Sequence, residues 1–109
     1  MPQFVIDPSK MDQRIDLKSL TETKDGLGAV IETWATLDTV WAEARDLTGR
    51  EFVAAAQVNA EVSARFRIRY RTDVTPEMRI GWSGREYDIK SISMLGRKDG
   101  LEIMASARA

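Results

Sequence analysis

The chain has 109 residues and a formal net charge of −1, so it fits one domain, and any attraction to nucleic acid must come from a local patch. It contains no cysteine and no histidine, which excludes thiol nucleophiles, disulfides, the common zinc sites and a Ser-His-Asp triad. The sequence has no apolar stretch of membrane-spanning length, and residues 1–10 do not resemble a signal peptide, so we expect an intracellular protein.

The first half of the chain predicts an arm followed by strands. Residues 1–11 are predicted to be an N-terminal arm, because prolines flank a short apolar run, and residues 12–109 are predicted to be one domain. Alternation of apolar and polar residues predicts a strand over residues 13–20, with Ile15 and Leu17 on one face. The sequence Asp-Gly-Leu-Gly at 25–28 predicts a turn.

The segment over residues 30–59 begins with a strand-like pattern and ends without one. Residues 30–44 predict either one long bent strand or two short ones, with Val40, Ala42 and Ala44 on the face opposite Trp41. Trp41 therefore points away from the face that the other three residues share, which favours a contact with another subunit or with a second buried surface. Residues 49–59 break the pattern and contain three alanines, which predicts a one- to two-turn helix or a loop.

Arginine alternates strictly with apolar residues over positions 65–71, and the apolar period extends back to Ala64 and Val62. The alternation predicts a strand with one apolar face and one charged face, the latter formed by Arg65, Arg67, Arg69 and Arg71. Four like charges on one face repel one another unless opposite charges lie close to them. The alternatives are acids on neighbouring strands (the candidates are Glu86, Asp88 and Glu102), acids on another protein, or the phosphates of a nucleic acid.

Three more strands are predicted before the end of the chain. They cover residues 78–82, 85–94 and 101–107, with turns at Ser83-Gly84 and at residues 96–100. The total is about six strands at short spacing, which predicts an all-β protein, either a small antiparallel barrel or a sandwich. The long loop or short helix is inserted before the arginine-rich strand.

Nothing in the pattern indicates catalysis. The 17 carboxylates include no pair at the spacing of an acid/base dyad or a metal site, and the glycines form no phosphate-binding loop. We therefore predict no catalytic, cofactor-binding or metal-binding residues, no cofactor and no enzymatic activity.

The order of short segments resembles a phage family. The segments are RIDL at 14–17, ETW at 32–34, VWAEA at 40–44, TGREF at 48–52, FRIRYR at 66–71, TPEMRI at 75–80, GREYDIKSI at 84–92 and LEIM at 101–104. Together they resemble the head–tail joining family of long-tailed phages, also called the head-closure or stopper proteins. The resemblance covers residues 12–104, and domesticated phage-like particles (gene transfer agents) use such proteins too.

The resemblance implies a small β-barrel with a long loop between the second and third main strands. It implies a ring, a hexamer or dodecamer, that seals the DNA channel after packaging and docks the tail. Its partners would be other copies of itself, a portal–adaptor protein, a tail terminator protein and the packaged DNA, with no membrane. The protein would be assembled in the bacterial cytoplasm and end in the virion.

The resemblance also implies site residues. The channel-facing loop would include Thr48, Gly49, Arg50, Glu51, Phe52, Gln57 and Asn59. The subunit interface would include Trp41, Arg65, Arg67, Arg69 and Arg71. The rival readings are a small nucleic-acid-binding barrel that uses the arginine face and an isolated enzyme domain, against which the missing histidine and cysteine speak.

Overall fold

A computed structural model describes residues 7–47 and 62–108 of the chain. Within these ranges a short 3-10 helix, Pro8–Lys10, precedes six β-strands. The strands are β1 (Gln13–Lys24), β2 (Val30–Asp46), β3 (Ala64–Arg69), β4 (Arg79–Trp82), β5 (Arg85–Leu95) and β6 (Gly100–Ala107).

The six strands close into one antiparallel barrel in the order β1-β2-β3-β6-β5-β4, with β4 pairing back onto β1. The predicted all-β fold is confirmed, and closure decides for the barrel over the sandwich. Every pairing is antiparallel, and β3 is separated from β5 by β6. Closure gives every strand of the barrel a neighbour on both sides, which limits edge-to-edge aggregation.

The core follows from the two-residue alternation of the strands. Ile15 and Leu17 of β1 point inward, and so do Phe66 and Ile68 of β3, all of them essentially buried. Phe66 stands edge-on to the rings of Trp82 and Tyr87, each with a centroid distance of 5.4 Å. An aromatic cluster with these geometries stabilises the barrel interior beyond the area that it buries.

β1 and β2 are longer than the barrel needs and project from it as a ribbon. β1 was predicted to end at residue 20 but continues to Lys24, and β2 is one strand of 17 residues. Within the described chain, β1 pairs with β4 only at residues 16–18, and β2 pairs with β3 only at residues 43–46. Residues 19–24 and 30–35 therefore pair only with each other, and the Cα atoms extend 59 Å along the long axis.

A β-bulge marks the point where the ribbon leaves the barrel. Leu17 pairs with Asp38 and Lys18 with Thr36, so Leu37 is the extra residue. A bulge bends and twists its strand, which fits a strand that changes direction here. At the tip, the Asp25 side chain accepts hydrogen bonds from the backbone N–H groups of Leu27 and Ala29, and this confirms the predicted turn.

The other predicted turns are also present. Ser83 and Gly84 both have positive φ, 55° and 78°, as a two-residue type I′ hairpin requires. Of the predicted arm, Met11 is buried against Leu95. The predicted helix or loop at residues 49–59 lies outside the described residues. Among the described helices, none has the length and apolar character to cross a membrane.

Candidate interaction surface

The arginine stripe lies on the outside of β3, as the alternation predicts. Its apolar partners Phe66 and Ile68 are buried, whereas Arg65 and Arg67 are half-buried and Arg69 is exposed. The strand ends at Arg69, so Arg71 belongs to the connection between β3 and β4 and not to β3 as predicted. Among the described residues, two of the four guanidinium groups have carboxylate partners.

Arg67 lies between two acids on the neighbouring strands. It is opposite Glu43 of β2 and opposite Glu102 of β6 in the sheet register. Its Nε donates to Oε2 of Glu102 at 2.9 Å, and its Nη1 lies 3.8 Å from Oε1 of Glu43. The Arg67 side chain is 24% exposed, so this is a partly buried charge cluster that spans three strands.

Arg71 joins two parts of the chain in a clamp. Its guanidinium makes a bidentate pair with Asp73, at 2.8 Å for both hydrogen bonds, and Nη1 donates to Oδ2 of Asp38 at 2.7 Å. The hydrogen bond from Arg71 lowers the pKa of each carboxyl, and at Asp38 the backbone N–H of Thr39 lowers it further. The clamp ties the base of the ribbon to the β3–β4 connection.

Of the three acids proposed as partners of the stripe, only Glu102 meets an arginine of the stripe. Glu86 instead accepts from Lys18 at 3.2 Å, and Asp88 is bound by Arg108 at 2.9 Å and lies 3.5 Å from Arg79. The reason is the strand order, because β6 separates β5 from β3 and places Glu86 and Asp88 beyond the reach of the stripe.

Arg69 and Arg65 differ from the other two arginines of the stripe. Within residues 7–47 and 62–108, no carboxylate oxygen lies within 4 Å of either guanidinium. Arg69 is the exposed one, and it lines a groove with Trp41. Arg69 and Trp41, both members of the predicted interface, are therefore neighbours in space.

The groove opens where β2 and β3 diverge. Its volume is about 360 Å³, and its lining residues are Met11, Val40, Trp41, Ile68, Arg69, Tyr70 and Arg71. It continues past Trp41 to Pro8 and Asp12. The walls are mostly apolar. Of the two arginines in the lining, Arg71 is paired with carboxylates, whereas Arg69 has no carboxylate partner among the described residues. A second, more polar depression beside Gly81 is lined by Arg14, Asp16, Lys18 and Glu86 among others.

The three tryptophans occupy three environments. Trp82 packs in the aromatic core and donates from Nε1 to Oε1 of Gln13 at 3.1 Å. Trp34 lies at the ribbon base, where the Arg79 guanidinium carbon stands 3.9 Å from its ring centroid. Trp41 is 51% exposed and carries the guanidinium of Arg14 over its face at 4.8 Å. The expectation that Trp41 points away from the core face of Ala42 is confirmed. Within the described residues Trp41 lies at the surface and not against a second buried surface, and its subunit contact stays a prediction.

The ribbon was the feature that sequence reasoning missed. Its exposed apolar residues are Leu27 at the turn, Val30 and Ile31, followed by Leu37 at the bulge. Glu22 and Glu32 stand directly opposite each other in the register. The available signal was the run of threonines and alternating residues beyond position 20, which has the composition of a strand.

The predicted channel-loop residues lie outside the described residues. They are Thr48, Gly49, Arg50, Glu51, Phe52, Gln57 and Asn59. Within the described ranges, no group of three or more histidine, cysteine, aspartate or glutamate residues is arranged to hold a metal ion. An exposed tryptophan, an apolar groove and a projecting ribbon are instead features of a small β-barrel that contacts other proteins.

Comparison with known proteins defines the family. The family model of the phage head completion protein matches residues 6–108, and the chain belongs to this family. This confirms the resemblance drawn from the order of segments. The head completion protein gp7 of Enterobacteria phage HK97 is 22% identical over 91 residues, which cover 84% of this chain and 81% of that protein. The chain accordingly has a structural role in phage head completion, and its place is the virion.

Two solved structures share the fold. Protein SF1141 from Shigella flexneri 2a, a solution structure, is 29% identical with a TM-score of 0.78, and the match covers 91% of this chain and 94% of that one. A chain of the virion of a native gene transfer agent particle is 18% identical with a TM-score of 0.55, over 89% and 94% of the two chains. At that identity, the second likeness concerns the fold alone.

Proposed function

We propose that this protein is the head-closure component of a tailed phage or phage-like particle, where it seals the DNA channel after packaging and provides the docking surface for the tail. The observation that carries the proposal is the family match over residues 6–108, which spans nearly the whole chain. The relative in phage HK97 bears the name of a head completion protein.

The proposed assembly is a ring of identical copies, a hexamer or dodecamer. A ring needs a heterologous interface, in which one surface of a copy meets a different surface of the next. The outside of β2 and β3 offers one such surface, with Trp41 and Arg69 together at the groove. Arg67 and Arg71 already form ion pairs within the chain. They would therefore contribute to the interface through the shape of their surface and through charge that they share with their present partners.

The proposed neighbours are a portal–adaptor protein on the head side and a tail terminator protein on the tail side. The segment that includes Thr48, Arg50 and Phe52 would face the channel and the packaged DNA. This assignment rests on the family and on the position of the segment between β2 and β3.

Deletion and complementation test the proposal. In a particle-producing strain that lacks this gene, we expect full-size heads that lose their DNA or remain tailless, while capsid and tail proteins accumulate normally. The wild-type gene should restore tailed, DNA-filled particles. Normal tailed particles without the gene would contradict the proposal.

The second candidate is a nucleic-acid-binding barrel, and one observation favours it. Trp41 lies beside Arg69, so an aromatic ring borders the arginine stripe. One ring and one cation could stack a single base, but they do not form a continuous track for a strand. We expect weak duplex binding by the free protein near physiological salt, and tight binding with a steep salt dependence would favour this candidate.

A further inference from the structure

The ribbon carries an electrostatic conflict that its own chain does not relieve. Glu22 and Glu32 are directly opposed across β1 and β2, and like charges in that position destabilise a strand pair. Within the described chain, no cationic nitrogen lies within 4 Å of either carboxylate. The ribbon continues two barrel strands, and within the described residues no ion pair relieves the repulsion between its two glutamates.

The same face of the ribbon also carries exposed apolar surface. Register and alternation place Lys24 and Val30 on the face of Glu22 and Glu32, and Val30 is 58% exposed. The turn adds Leu27, which is 95% exposed. From Glu22 to Glu32 the chain contains three acids and one lysine, which gives a net charge of −2.

The groove beside Trp41 has the complementary properties. Arg69 supplies a cation that no described carboxylate pairs, and Met11, Val40 and Tyr70 supply apolar walls. Arg14 lies over the Trp41 ring and adds a second cation at the rim. Asp12 lines the adjoining part of the groove together with Arg69 and Trp41, but within the described residues no carboxylate pairs with Arg69, so its guanidinium is available to an acidic partner.

The ribbon tip cannot reach the groove of its own chain. Trp41 and Ile31 belong to the same continuous strand, β2, and are ten residues apart, which is about 33 Å at the rise of a strand. A contact within one copy would require β2 to fold back on itself. The tip and the groove can therefore meet only between two copies.

We propose that the acidic face of the ribbon docks in the Trp41–Arg69 groove of a second copy of this chain, with Glu22 and Glu32 facing Arg69. The contact is head-to-tail, so each copy uses its ribbon on one side and its groove on the other, as a closed ring requires. The inference rests on the proposed ring for its biological role. Its geometry concerns the chain alone.

Disulfide trapping between two copies tests this contact, because the chain has no cysteine of its own. One purified full-length chain carries Lys24→Cys on the ribbon, and a second, differently tagged chain carries Asp12→Cys at the groove. They are mixed in a glutathione buffer over a range of concentrations. We expect the mixed dimer to exceed that formed with a Glu77→Cys control by about tenfold or more, since Glu77 is exposed outside the groove.

Charge variants test whether the proposed contact between Arg69 and the ribbon glutamates produces the trapped dimer. Arg69→Glu in the groove chain should reduce trapping roughly tenfold, and Glu32→Arg in the ribbon chain should restore much of it. Glu32→Arg alone should also reduce trapping, although it places an arginine opposite Glu22 and thereby stabilises the ribbon. A loss with this variant therefore cannot come from an unfolded ribbon.

Mixed dimer at the level of the control at every concentration would overturn the inference. So would trapping that does not respond to Arg69→Glu, or a ribbon cysteine that links, in particles, to a different virion protein. The proposed function fails on a different result, because normal particles after deletion of the gene would contradict it without affecting the trapped dimer.

Discussion

Arg67 and Glu102 face each other across β3 and β6 with 2.9 Å between Nε and Oε2, and Glu43 flanks the same guanidinium from β2. One arginine thus pairs with an acid on each of the two strands beside it. Because the cluster is only about a quarter exposed, its loss costs more than that of a surface ion pair.

The first prediction concerns this cluster. Arg67→Glu would place three carboxylates together, and we expect it to lower the free energy of unfolding by about 1–3 kcal/mol. The loss should exceed that of an exposed ion pair, because Glu43 and Glu102 would lose the arginine between them. Arg69→Glu is the matched control on the same strand and should stay within about 0.5 kcal/mol of the wild type. Urea denaturation of the purified variants measures both, and equal losses would show that the cluster is not stabilising.

The second prediction concerns the inner face of the same strand. Ile68 is 1% exposed, so Ile68→Ala should leave a cavity and cost about 2–5 kcal/mol. Met94→Ala removes a large side chain that is mostly exposed and should cost less than about 0.5 kcal/mol. A small loss for Ile68→Ala in denaturant unfolding would mean that the two faces of β3 are assigned the wrong way round.

The third prediction concerns pH. Arg71 lowers the pKa of Asp38 and of Asp73 below the ordinary value of 3.8. The stabilisation that the ionised carboxylates provide is therefore complete above about pH 3.8 and is lost as the pH falls through the lowered pKa values. An NMR titration should give both carboxyls midpoints below 3.8, and Arg71→Gln should raise both. Unchanged midpoints in that variant would rule out the clamp.

The fourth prediction separates strain in the backbone from crowding around an added Cβ atom. A Cβ at Gly84 would meet nothing within 4 Å, and the same holds at Gly26, but only Gly84 has a positive φ, 78°. Gly84→Ala should therefore destabilise the protein by about 1–2 kcal/mol through backbone strain. Gly26→Ala should be nearly neutral. Thermal unfolding compares the two, and an equal effect would contradict a type I′ turn at Ser83-Gly84.

The alternation of apolar and polar residues was sufficient to predict the strands and their buried faces. It placed Ile15, Leu17, Phe66 and Ile68 in the core because a strand with one buried face repeats every two residues. It did not predict where β1 ends, because residues 21–24 are exposed and no buried face marks the boundary.

Partners across the barrel were harder to predict than strands. Glu102 was expected near the arginine stripe and is there, whereas Glu86 and Asp88 bind other cations. The difference is one of strand order, which is fixed by long-range closure and not by any local pattern. The pairing of Arg69 with Trp41 in one groove depends likewise on how β2 and β3 diverge.

As the proposed head-closure component, this chain would lie at the junction of head and tail. Cryo-electron microscopy of particles that carry the wild-type chain tests this placement most directly. We expect a ring of six-stranded barrels at that junction, each with its ribbon projecting from the barrel, and the ring should be missing from particles made without the gene. Particles that contain the chain elsewhere, or whose junction density is unchanged when the gene is deleted, would contradict it.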